Sequence, residues 1–214
     1  MKDINGNDLD DKIEYIINCK KDGTIIGPIS KIYAHEKNIR PRLTHYSTWA
    51  MVYNPFLKKY GLQLKQPKKH DGNHNPKWDM GVAGHNPYEK REGEYEPLLF
   101  EENLAKEADE EIGLEVKNFY SLNEFLDAAK NLSGSIGYIC ERFHYQDLIN
   151  NEWVGFGLIL TSETDLDFKD GEVLEFKWLT PNALKKYLSE ENDYYSALLI
   201  AFEKAEKFRL RYLS

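Results

Sequence analysis

Leu104, Ala105, Ala108 and Ile112 recur at helical spacing, so residues 98–112 predict a helix with one apolar face, and Gly113 offers the left-handed position that ends it. Stretches rich in aromatic and branched residues predict strands over residues 13–18, 24–26, 44–53, 61–65, 78–82, 137–145, 153–161 and 174–179. The first two flank Lys21-Asp22-Gly23 as an N-terminal hairpin. Further helices are expected over 122–131, 181–188 and 192–212, the second with Thr180 as N-cap and Pro181 at its first position. Residues 67–77 and 84–97 are polar tracts expected as loops, and residues 1–12 form a loosely held segment. No internal repeat or linker divides the remainder, so residues 13–214 predict one α/β domain.

Composition narrows the class. The 214 residues are 41% hydrophobic, enough to fill a core. A formal net charge of −8 excludes a large nonspecific nucleic-acid surface, and an anionic small molecule would need local lysines or a metal ion. The apolar runs 153–160 and 197–202 are too short to span a bilayer, and no signal-like run opens the sequence, so a soluble cytoplasmic protein with no membrane partner is expected. Cys19 and Cys140 are too few and too far apart for a disulfide framework. The last helix carries Tyr194, Tyr195, Leu198, Leu199 and Phe202, an apolar face for its own domain or for a twin in a homodimer.

The charge pattern of residues 106–114, Lys-Glu-Ala-Asp-Glu-Glu-Ile-Gly-Leu, is the main chemical signal. Glu107, Glu110 and Glu111 stand at helical offsets of zero, three and four, on a stripe beside the apolar face, while Asp109 points elsewhere. Like charges at these offsets repel by a few tenths of a kcal/mol per pair unless a cation lies against them. Oxygen ligands of this kind suit Mg2+ or Mn2+ bridged to substrate phosphates. A solvated acidic face supported by Lys106 and Lys117 is the other reading of the same spacing.

Residues 106–114 resemble the closing half of the Nudix hydrolase signature, which runs Gly, five residues, Glu, seven residues, then Arg-Glu-apolar-any-Glu-Glu-any-Gly-apolar. Gly84 corresponds to the opening glycine and Glu94 to the first glutamate, but nine residues separate these two and eleven separate Glu94 from Lys106, so both intervals carry insertions. Lys106 stands where the signature has arginine, keeping the charge and losing the planar fork. Scattered segments resemble the branch that contains isopentenyl-diphosphate isomerases and their hydrolase relatives: residues 25–31, Ala34-His35, Arg42-Leu43-Thr44-His45, Pro76-Lys77-Trp78-Asp79, Gly84-His85-Asn86-Pro87 and Ile149-Asn150-Asn151-Glu152. The resemblance implies a Nudix-type α/β/α sandwich with a mixed central sheet, an N-terminal hairpin and C-terminal helices.

It also implies a site. His35, His45 and His85 correspond to three histidines that hold a metal together with carboxylates, although each alone would more often be a hydrogen-bonded structural residue. Glu107, Glu110 and Glu111 would hold Mg2+ or Mn2+, with Glu107 or Glu152 as the proton acceptor. Lys65, Lys68 and Lys69 would offer charge to a diphosphate, or be solvated loop lysines; Trp78 would pack under the site or wall it. His70 and His74 stand four apart, but the intervening Asp-Gly-Asn speaks against a helical metal pair. In the isomerases a cysteine precedes the histidine of the Gly-His motif by two residues; here that position is Ala83, which transfers no proton. The expected activity is therefore metal-dependent hydrolysis of a diphosphate linkage in a small nucleoside-, isoprenoid- or related substrate. Isomerisation, and a catalytically inert binding protein of the same fold, are the alternatives.

Overall fold

The computed structural model describes residues 1–4, 6–67, 75–169 and 171–213. In chain order the elements are β1 (Tyr15–Cys19), β2 (Ile25–Ser30), α1 (Lys31–Ala34), β3 (His45–Asn54), β4 (Lys59–Lys65), β5 (Lys77–Met80), β6 (Val82–His85), β7 (Pro87–Arg91) and β8 (Glu94–Pro97). They continue as α2 (Phe100–Ile112), β9 (Val116–Phe119), α3 (Leu122–Lys130), β10 (Ser135–Gln146), β11 (Asn151–Thr161), β12 (Val173–Leu179), α4 (Pro181–Glu190) and α5 (Ser196–Tyr212).

Every strand joins one mixed sheet built around β3, whose ten residues are all buried. β3 runs parallel to β11 and antiparallel to β4 and β6. Its alternation divides the core: Trp49, Met51 and Tyr53 join one apolar cluster with Phe125 of α3, Leu184 of α4 and Phe202 of α5. Tyr46, Ala50 and Val52 join the other, with Phe100, Leu104, Ala108 and Ile112 of α2. Helices thus cover both faces, which makes the α/β/α sandwich. Leu198 and Phe202 of α5 are buried in this core, while Leu199 on the same helix is exposed. Among the described residues no helix is long and apolar enough to cross a membrane.

α2 ends as its sequence dictates: Gly113 adopts φ 69°, and Leu114 N–H returns to the Ala108 carbonyl at 3.0 Å. Thr180 caps α4, its hydroxyl accepting from Ala183 N–H at 3.3 Å. Two expectations are corrected. Residues 84–97 are not a loop: β7 and β8 form a hairpin whose turn, Glu92-Gly93, has positive φ at both residues, as a tight two-residue hairpin requires. Residues 192–195 do not begin the last helix; Trp78 N–H donates to the Asp193 carbonyl and Tyr195 N–H to that of Trp78, so this stretch is laid against β5. Among the described residues of the N-terminal segment, Ile4 N–H donates to the Pro28 carbonyl and the Asp11 carboxylate accepts from Lys90 and Tyr95.

Candidate functional site

One cleft of about 330 Å³ opens over the end of the sheet where β3 and β11 begin and β4 and β6 end. Its walls include His35, Arg40, Lys65, Asp79, His85, Glu107, Glu110, Glu111, Glu152 and Tyr195. Strand register assembles it. His45 opens β3 and stands beside Glu152 on β11, while Ser47 faces His85 at the end of β6. His35 arrives from the end of α1, and α2 lays its acidic stripe across β6.

The three histidines converge: one ring nitrogen of each lies within 4.8 Å of the others, and His35 Nε2 is 3.3 Å from His85 Nε2. His45 Nδ1 lies 3.3 Å from the Leu43 carbonyl oxygen, which favours the tautomer with the proton there and leaves Nε2 a bare acceptor. That Nε2 is buried and makes no hydrogen bond. Burial pulls His45 down to about 4 against the Leu43 carbonyl, which favours the charged form. Burial, then the neighbouring His45 and His35, holds His85 well below the ordinary histidine range. Three converging imidazoles, two of them with their charge suppressed by burial, around an orphaned nitrogen fit a cation, because a metal ion supplies the electron-pair acceptor that the buried acceptor lacks.

The acidic stripe is not uniform. Glu110 is exposed and paired with Lys106 at 2.8 Å, an i,i+4 surface contact. Glu107 rests against Gly84: a Cβ there would lie 2.1 Å from its carboxyl carbon, so glycine is what admits the carboxylate to the floor of the cleft. Burial, with the charge of Glu111 adding to it, pushes Glu107 up to about 7. Glu111 is buried and already satisfied, Oε1 by Lys65 Nζ at 2.6 Å and Oε2 by Gln63 Nε2 and Ala83 N–H at 3.0 Å each. On the opposite wall, Glu152 accepts from Trp49 Nε1 at 3.1 Å and is lifted by burial to about 7, with Arg40 and the Ser47 and Trp49 hydrogen bonds working the other way.

Several expected roles change with this geometry. Lys65 does not present a free ammonium to a diphosphate; its Nζ is held by Glu111 and by the Ala83 carbonyl at 2.8 Å. Glu111 meets three protein donors, one on Oε1 and two on Oε2. Trp78 lies outside the cleft lining, because strand alternation sends its neighbour Asp79 toward the cleft and Trp78 into the core, where Lys177 Nζ sits 3.6 Å from its ring centre. Glu94 is exposed on the β7–β8 hairpin and is not among the lining residues. Lys68, Lys69, His70 and His74 lie outside the described residues. Arg40, Asp79, Gln63 and Tyr195 were not expected at the site. Gln63 left a signal, an amide between Leu62 and Leu64 in a buried strand, and Asp79 stands in one of the segments that carry the resemblance.

No protein-family model matches the chain, and no curated protein matches it. Solved structures do resemble it in fold. DR0079 from Deinococcus radiodurans superimposes with a TM-score of 0.59 at 16% identity, covering 89% of this chain and 98% of that one. A NUDIX hydrolase from Nitrosomonas europaea superimposes with a TM-score of 0.51 at 13% identity, covering 77% of this chain and 89% of that one. The chain has the Nudix fold.

Proposed function

We propose that the chain is a divalent-metal-dependent hydrolase that cleaves a diphosphate linkage in a small nucleoside-, isoprenoid- or related substrate in the cytoplasm. The observation that carries this reading is the convergence of His35, His45 and His85 at one cleft, His35 and His85 lining it, together with Glu107 and Glu152, two carboxylates lifted to about 7. His35, His45 and His85 would hold one ion; their imidazoles suit Mn2+ better than Mg2+, whereas the oxygens of Glu107 and Glu110 suit either. When bound, such an ion supplies positive charge to phosphate oxygens and acidifies water at the site.

The chain's own residues do the rest. Glu107 and Glu152 take up a proton at neutral pH more readily than an ordinary carboxylate, which is what a general base for an attacking water requires. Arg40 also lines the cleft with Lys31 and Lys106, whose ammonium groups rest on Glu14 at 2.7 Å and Glu110 at 2.8 Å and would have to share that charge with a phosphate. Ala83 offers only a methyl group where isomerisation needs a proton donor, which favours hydrolysis over isomerisation. The test is release of phosphate or monophosphate from a panel of diphosphates with Mn2+ or Mg2+, for the native chain, Glu107→Gln and Glu152→Gln. Release by the native chain and its loss in at least one variant supports the reading. A native chain that binds no divalent ion and cleaves nothing sinks it. Conversion of isopentenyl diphosphate to dimethylallyl diphosphate at enzymatic rates would instead favour the isomerase.

A further inference from the structure

We infer that Glu111 is a positioning residue rather than a metal ligand, and that Lys65 is its resident cation, standing on this carboxylate where the spacing of the acidic stripe suggests a divalent ion. The inference deepens the proposed hydrolase reading and rests on it only for the ions held elsewhere in the cleft.

Occupancy is the first argument. A carboxylate offers about four lone-pair positions, and protein donors fill three of those on Glu111. Its side chain is 2% exposed and that of Lys65 10%, so the pair meets the cleft with little of its surface. A metal ion approaching Glu111 would have to displace the 2.6 Å contact and leave a buried ammonium without its partner, the costliest way to break a buried pair. Burial disfavours the charge on Lys65, yet Glu111, Asp79 and Glu107 around it outweigh that and hold the ammonium above its ordinary range. Glu110, next in sequence, has none of this. Its partner Lys106 is a surface lysine, and half of its side chain is exposed.

Geometry supplies the second argument. Lys65 Nζ donates to the Ala83 carbonyl while Ala83 N–H donates to Glu111, so β4, α2 and β6 are clasped at one residue. The next residue is Gly84, on which Glu107 rests, and the one after is His85. Glu111 thus acts through the backbone of residue 83, fixing the height of both neighbouring groups relative to α2.

Two measurements on the full chain test this. Metal-stripped protein is titrated with Mn2+ and the free ion followed by electron paramagnetic resonance. Glu111→Gln is expected to keep the native stoichiometry with affinity within about threefold, whereas Glu107→Gln weakens it by about tenfold or more. Lys65→Met, which leaves the Glu111 charge uncompensated, is expected to bind Mn2+ more tightly or to take up one further ion. Glu111→Gln losing Mn2+ as severely as Glu107→Gln, or Lys65→Met binding no better than the native chain, overturns the inference. The second measurement needs no metal: in thermal unfolding, Lys65→Met and Glu111→Gln each lower the midpoint, and the double variant loses less than their sum because both remove one clasp. Strictly additive losses would also overturn it. A native chain that binds no Mn2+ fails the hydrolase reading instead, and the thermal cycle then decides the role of Glu111 alone.

Discussion

The two walls of the cleft are built from opposite electrostatic plans. On the histidine side, three imidazoles are gathered, His45 and His85 with their charge suppressed, and one buried nitrogen is left without a partner. On the acidic-helix side, the most buried carboxylate is already matched by a lysine, an amide and a backbone N–H. Unsatisfied acceptors are costly in a protein interior, so the first wall is stable in proportion to what fills it, whereas on the second the Glu111 carboxylate is already matched and the buried acceptor without a partner is Gln63 Oε1. Ligand-type residues in a helical stripe are therefore not equivalent: Glu107, Glu110 and Glu111 span partly buried, exposed and buried environments within two turns.

The largest expected effect lies on the histidine wall. His85→Ala should lower Mn2+ affinity by at least about 100-fold, beyond the roughly 10- to 100-fold cost of losing an outer partner, as measured by titration calorimetry. An affinity unchanged by this variant would erase the difference between the walls.

The next contrast is in pH. In metal-free protein His45 is held near 4 against an ordinary value of 6.5, so the unfolded chain takes up a proton that the folded chain refuses, and stability falls as pH drops from about 6.5 to 4. Glu152 is held near 7 against 4.5, so the unfolded chain ionises first, and stability falls as pH rises from about 4.5 to 7. His45→Gln and Glu152→Gln should each flatten one limb of a denaturant-derived stability profile, by up to ~3 kcal/mol. Both variants flattening the same limb would refute the assignment.

Gly84→Ala comes third. The added methyl meets the tip of the Glu107 side chain, which can swing away, so stability should fall by only about 1–3 kcal/mol. Displacing that carboxylate should lower the hydrolysis rate by about 10- to 100-fold, visible as a kcat loss in a protein that still melts cooperatively. Smallest of all is Lys106→Ala. Its partner Glu110 is half exposed, so unfolding free energy should change by no more than about 0.5 kcal/mol.

How much of this the sequence carried depended on how local each cause is. α2 and its end were legible because the apolar spacing of Leu104, Ala108 and Ile112 and the φ of Gly113 are local properties. The β7–β8 hairpin was hidden because its strands are short and charged, and its turn puts Glu92, not the usual asparagine or glycine, at a positive φ. The start of α5 was misplaced because residues 192–195 answer to Trp78, more than a hundred positions earlier.

The site divides in the same way. His35, His45 and His85 were found through resemblance, since nothing in their spacing announces that strand register brings them within 4.8 Å. The acidic stripe was visible from spacing alone. What neutralises Glu111 was not, because Gln63, Lys65 and Ala83 approach it from two strands remote in sequence. Arg40 and Tyr195 reach the cleft from segments outside regular strands, where no periodicity marks an inward-facing residue.

The most direct test of the contrast between the walls is anomalous diffraction from crystals of the native chain soaked in Mn2+. A peak among His35, His45 and His85, with Lys65 still on Glu111, is the predicted result. No peak at the histidines, and one bridging Glu110 and Glu111 with Lys65 turned away, would contradict it.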